Sequence, residues 1–199
     1  MRDRCGEHGS GPDPELEPLP WAQTGWHRRD RNESEGAPYD RAVASGEDLR
    51  AVMRGYPHGV SVLTVDLEGE RMGVTIGSLV SLSLEPPLVG VSIGKEASSY
   101  ELLRLSGGFA VSLLAEDQEA LAQHFARGVP PIAHWSGIAI REGELGPPLL
   151  EGAVGWLECQ IWAQYDAGDH TFFVGEVVRA ERDESKQPLV YIEGSYRAL

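Results

Sequence analysis

Two long runs, GWLECQIWAQY from Gly155 to Tyr165 and HTFFVGEVVRAER from His170 to Arg182, flank a turn that carries Gly168 and Asp169. Their length and spacing predict a long antiparallel hairpin. Shorter strand-like runs precede and follow it: GVSVLTVDL from Gly59, MGVTIGSLVSLS from Met72 with an interruption at Gly77, LVGVSI from Leu88, FAVSLL from Phe109 and PLVYIEG from Pro188. EGE, from Glu68 to Glu70, supplies the turn between the first two. Helical patterns are few and short. Ser45 and Asp48 make a capping box ahead of Leu49, Val52, Met53 and Tyr56, one apolar stripe that stops near Pro57. Ser98 and Glu101 make a second box before YELLRL, which Gly107 and Gly108 stop; DQEALAQHFA, from Asp117, reads as a short amphipathic helix ended by Gly128. Many strands, few helices and no regular βαβ alternation predict a mainly β fold: a closed or nearly closed antiparallel barrel with a few short flanking helices.

Domain organisation follows from where periodicity begins. Residues 1–40 are rich in Pro, Gly and charge and sustain no period of 2 or 3.6, so they read as a flexible extension to one domain over residues 41–199. Trp21 and Trp26 are the exception there, large aromatics that docking would shelter from water. The 199 residues suffice to bury a core without disulfides or metals. A formal net charge of −14 argues against nucleic-acid binding and against attraction to an anionic membrane, both of which need clustered Lys and Arg. No apolar run is long enough to span a bilayer and no charged-then-apolar leader opens the sequence, so the expectation is a soluble cytoplasmic protein. Cys5 and Cys159 suggest no disulfide framework; Cys159 alternates in phase with Leu157 and Ile161, which predicts a buried, inert thiol.

Familiar catalytic signatures are missing: there is no Walker loop, GxGxxG, GxSxG, HExxH or CxxC. The six histidines lack ligand spacing, and no metal site is expected. What remains suits a phosphorylated ligand. Lys95 precedes Ser98 and Ser99 at a predicted helix start, where free N–H groups and the helix dipole favour an anion; the plainer reading makes Ser98 an N-cap and Lys95 a solvated charge. Thr75, Ser78, Ser81 and Ser83 lie along one predicted strand and its continuation, either as hydrogen-bonding partners for the polar edge of a heteroaromatic ring or as a polar strand face.

From about Leu49 to Tyr196 these pieces, in this order, resemble the flavin reductase family with the FMN-binding split-barrel fold, the reductase components of two-component flavin-dependent monooxygenases. The segments that carry the resemblance are LRAVMRGYPHGVSVLTV, GVTIGSLVSLSLEPPLVGVSI, KEASSYELL, GGFAVSLL, DQEALAQHFA, PPLLEGAVGWLECQI, GDHTFFVGEV and PLVYIEGSY. Each is short and tolerant; their ordered occurrence is specific. The resemblance implies an antiparallel, Greek-key-like split barrel with FMN, or FAD as the other flavin, in a groove at a homodimer interface. It implies Thr75 and Ser78 near the isoalloxazine, Ser81 near the ring and ribityl chain, and Lys95, Ser98 and Ser99 near the phosphate. Phe125 and Ala126 match a position bordering the flavin, and His170, in the GDH motif, matches a histidine that helps to receive the nicotinamide of NADH or NADPH. After Phe125 the chain departs from the family pattern and reads ARGVPPIAHWSGI, which leaves open which residue there touches the pyridine nucleotide, Arg127 and His134 being the alternatives for the usual contact.

The implied activity is hydride transfer from the nicotinamide to FMN, with reduced FMN leaving for a partner monooxygenase. The cofactors carry that chemistry, and the protein supplies geometry and electrostatics. Two other readings share the fold: a flavin-binding or electron-transfer module without reductase activity, and a split barrel that holds FAD or haem.

Overall fold

The two long runs pair as the sequence predicts. A computed structural model describes residues 43–127 and 133–199; the expectations for residues 1–40, including Cys5, Trp21 and Trp26, and for Gly128 and the Pro130-Pro131 pair lie outside the described residues. β9 (Gly155–Ala167) and β10 (His170–Arg182) form the hairpin, turning at Gly168 with φ of 69°, a left-handed value that suits a residue without a Cβ. β2 (Ser61–Leu67), β3 (Glu70–Ile76), β4 (Val80–Leu84), β5 (Pro87–Gly94) and β6 (Gly108–Leu113) complete a seven-stranded sheet of order β3-β2-β6-β9-β10-β5-β4, antiparallel throughout.

Connectivity forces this sheet to roll up. Six inter-strand spacings would hold the edges of a flat sheet roughly 29 Å apart. Yet the two edge strands, β3 and β4, are joined only by Gly77, Ser78 and Leu79, a link that reaches about 14 Å at full extension. The sheet therefore curls into an open barrel, split between β3 and β4. Its interior holds Leu63, Val65, Met72, Val91, Phe109 and Phe173, and Cys159 lies among them. Burial lifts the Cys159 thiol to about 12, in line with the inert thiol read from its alternation.

A second apolar cluster lies on the other side of β2. Val62 there joins Leu114, Ala122, Phe125, Leu150 and Leu189, so β2 is buried on both faces. The smaller strands β1 (His58–Gly59), β11 (Leu189–Ile192) and β12 (Ser195–Ala198) form one sheet, and β7 (Ile140–Glu142) and β8 (Pro148–Leu150) another.

The helices correct the sequence reading in three places. α1 (Gly46–Met53) starts with the predicted box, Ser45 Oγ accepting from Asp48 N–H at 3.1 Å and Asp48 accepting from Ser45 N–H at 2.9 Å. Its apolar stripe, however, faces outward, with Leu49 62% and Val52 74% exposed. α2 (Tyr100–Leu105) starts later than its predicted box: Ser99 takes the N-cap position without a side-chain cap bond, and Glu101 accepts from Arg104 instead. α3 (Glu119–Ala126) starts two residues after Asp117, because Gln118 accepts from Ala115 N–H and donates to the Glu151 carbonyl, holding the preceding turn. No helix among the described residues is long and apolar enough to cross a membrane.

Candidate functional site

The β5–β10 pairing brings distant residues to one end of the sheet. His170 is opposite Gly94, Thr171 opposite Ile93 and Phe172 opposite Ser92. The Lys95 N–H donates to the Asp169 carbonyl at 2.9 Å, which ties the hairpin turn to the end of β5. His170 lies against Gly94 with its side chain 46% exposed, and its Nδ1 is 2.7 Å from Asp169 Oδ1. That hydrogen bond holds the Asp169 carboxyl below its usual range. An imidazole anchored through one nitrogen presents the other to an incoming group.

Lys95 extends the same end of the sheet. Its Nζ is 3.2 Å from Asp166 Oδ1, an exposed ion pair of a kind worth at most about 1 kcal/mol. A phosphate dianion competes well with a single such carboxylate. Thr171 Oγ1 donates to Asp166 at 3.3 Å and lies 3.0 Å from the Tyr100 hydroxyl, which fastens the first turn of α2 to β10. Next to Tyr100, the Ser99 hydroxyl is buried and has no hydrogen-bond partner among the described residues. Leaving a buried hydroxyl unpaired costs about 1–3 kcal/mol. Ser98 is exposed beside it and makes no helix cap.

The link that splits the barrel reaches the same region. Ser78 Oγ donates to the Ser92 carbonyl and accepts from the Ser92 N–H, both at 3.0 Å, and so pins the link to β5 two residues before Gly94. Ser81 follows on β4, exposed on an edge strand whose Val80, Leu82 and Leu84 are also exposed.

Thr75, Phe125 and Ala126 gather elsewhere. Thr75 Oγ1 donates to the Ala122 carbonyl at 2.7 Å, joining β3 to α3. Phe125 is buried against Gly73, His124, His134 and Trp135, while Ala126 is exposed at the end of the helix. His134, one of the two residues left for a pyridine nucleotide, is instead buried with Nε2 3.0 Å from both Gly73 N and Gly73 O. Its ring braces β3. Arg127 is exposed and donates to Gln123 at 3.3 Å.

Tyr100, Thr171, Asp166 and Ser92 join the site without having been singled out from sequence. Tyr100 reads as one more apolar helix position, and only the strand register reveals what its hydroxyl meets. No group of three or more His, Cys, Asp or Glu among the described residues could hold a metal ion.

Residues 53–199 match the family described as Flavin reductase like domain. The 4-hydroxyphenylacetate 3-monooxygenase reductase component of Thermus thermophilus is 39% identical over 153 residues, covering 77% of this chain and 96% of that protein. An NADH:FMN oxidoreductase of Rhodococcus qingshengii is 37% identical over 154 residues, covering 75% of this chain and 79% of that one. Among solved structures, an NADH:FAD oxidoreductase of Streptomyces globisporus in complex with NAD and FAD fragments superposes with a TM-score of 0.74 at 37% identity, covering 80% of this chain and 97% of that chain.

Proposed function

The chain belongs to the flavin reductase like domain family, and from that premise we propose that it is an NAD(P)H-dependent flavin reductase supplying reduced flavin to a monooxygenase. The observation that carries the reading is the end of β5 and β10, where the Lys95 N–H donates to the Asp169 carbonyl beside the half-exposed His170, and Ser99, whose hydroxyl has no partner among the described residues, follows at the start of α2. A bound flavin supplies a ring that accepts hydride. Lys95 and Ser99 hold its phosphate, with Ser98 at the rim. Ser78 and Ser81 border the flavin where the barrel splits, and Thr75, Phe125 and Ala126 support that wall from β3 and α3. His170 orients the nicotinamide, its ring held by Asp169.

The unit that carries this activity is residues 41–199, with FMN as the flavin and the family's FAD enzymes marking the alternative. A homodimer completes it. Two exposed apolar surfaces support that part of the proposal, the α1 stripe of Leu49, Val52, Met53 and Tyr56 and the β4 row of Val80, Leu82 and Leu84, because such area is costly to leave in water. The decisive assay is NAD(P)H oxidation with and without added FMN. FMN-dependent oxidation is expected; tight FMN binding without oxidation would make the protein a flavin carrier instead.

A further inference from the structure

Gly77 is where β3 runs out and the link that splits the barrel begins. The last ladder pair of β3 is Ile76 with Ser61, and only Gly77, Ser78 and Leu79 lead on to β4. Behind Gly77 lies the His58 ring: a Cβ at position 77 would run into its Nδ1 and Cε1 and stand 3.0 Å from its Nε2. The imidazole therefore fills the volume that a side chain at 77 would take. The Gly77 backbone is not left-handed, unlike that of Gly69, Gly107 and Gly168, so the ring rather than φ demands a glycine there. The ring is itself held from behind. His58 pairs with Tyr191 across β1 and β11, their rings 5.5 Å apart, and Tyr196 stands a further 5.1 Å from Tyr191. The Val60 N–H donates to the Leu189 carbonyl at 3.0 Å, which fixes β1 just past the histidine. His58 Nδ1 has only a long 3.4 Å contact with the neighbouring Gly59 carbonyl, so packing sets the place of the ring more than hydrogen bonding does.

The far part of the link is fastened by other means. Ser78 Oγ bonds both backbone groups of Ser92, and Leu79 packs against the barrel interior. Gly77 brings no side chain to that task, and a glycine loses more backbone freedom on ordering than any other residue. We propose that His58 is a positioning residue for the flavin: its ring, backed by Tyr191, stands in for the missing side chain of position 77 and holds the link at the height where Ser78 and Ser81 meet the flavin ring. This rests on the flavin reductase reading, which makes the link a wall of the flavin site. The link borders the ring and not the phosphate, so loss of the brace acts on FMN and riboflavin alike.

The test is a double-mutant cycle on the full chain, read by titration with FMN and with riboflavin. His58→Ala opens a space beside Gly77, Gly77→Ala drives a methyl group against the ring, and the double variant puts that methyl into the vacated space. Each single change should weaken both flavins alike, by about tenfold, and the double variant should recover both to within about threefold of the natural protein. His58→Phe, a ring without nitrogens, should also stay within about threefold, which a brace allows and a hydrogen bond from the imidazole to the ligand does not. Losses that add in the double variant, or a His58→Phe as weak as His58→Ala, overturn the proposal. Should His58→Ala fail to fold, Gly77→Ala carries the test through its single methyl, and unchanged flavin affinity there overturns the proposal too. Absence of any flavin binding by the natural protein overturns the reductase reading and the brace with it, whereas flavin binding indifferent to both single changes overturns the brace alone.

Discussion

The residues that the family resemblance assigns to the flavin fall into two regions with opposite physical character. Around β3 and α3, Thr75 and Phe125 are held by neighbours: a hydroxyl committed to a carbonyl and a ring packed among aromatics, with His134 clamped to Gly73. At the end of β5 and β10, by contrast, Lys95 sits in an exposed ion pair, Ser99 lacks a partner among the described residues and His170 is half in solvent. One motif set thus contains both side chains committed to the fold and side chains left exposed or unpaired among the described residues. Burial and hydrogen-bond commitment separate the two where residue type alone does not.

The sharpest way to break that division is to remove a large side chain from each region. Phe125→Ala should destabilise the domain by about 3–5 kcal/mol, read as a lower urea midpoint, because it opens a cavity under α3. A loss below about 1 kcal/mol would show that Phe125 is not structural support. At the end of β5 and β10, Lys95→Ala with Ser99→Ala should weaken FMN by about 1.5–3 kcal/mol while leaving riboflavin nearly unchanged, since only FMN offers a phosphate. Equal weakening of both ligands would place the phosphate elsewhere.

His170→Ala should lower kcat/KM for NAD(P)H tenfold to a hundredfold, about 1.4–2.7 kcal/mol, with FMN affinity and the urea midpoint unchanged. Unchanged kcat/KM removes His170 from the nicotinamide site, and lost FMN binding moves it to the flavin. The smallest effect concerns Asp169→Asn. Hydrogen bonding to His170 lowers the folded-state affinity of Asp169 for a proton, so its contribution to stability is present above the ordinary carboxylate pKa and is lost as pH falls. Acid unfolding of the variant and the natural protein should therefore differ only slightly, converging below roughly pH 4, while kcat/KM falls a few-fold at neutral pH from a less well-oriented imidazole. A large stability difference at neutral pH would make the Asp169–His170 pair part of the support.

Legibility in sequence followed the same division. The long hairpin, the break at Gly77 and the Ser45–Asp48 box were readable because alternation, turn residues and cap spacing are local. The stripe on α1 was readable as apolar but not as outward-facing, since exposure depends on what the rest of the chain leaves uncovered. The Ser98 box gave way to a pair between Glu101 and Arg104, a competition of similar energies that spacing cannot rank. β1, β7, β8 and β12 run two to four residues each, too short to establish a period. In the site, Lys95 and His170 stood out by type and motif, whereas Tyr100, Thr171 and Ser92 acquire their places from strand register, a long-range property.

The central claim is that the exposed end of the sheet, where β5 meets β10, receives a nicotinamide beside a bound flavin. Mixing the FMN-loaded protein with equimolar NADH under anaerobic conditions and following the flavin absorption tests it most directly. The account predicts rapid loss of the oxidised-flavin band in the natural protein and a tenfold to hundredfold slower loss in His170→Ala at subsaturating NADH. A band that persists in the natural protein, with neither NADH nor NADPH discharging it, would contradict it.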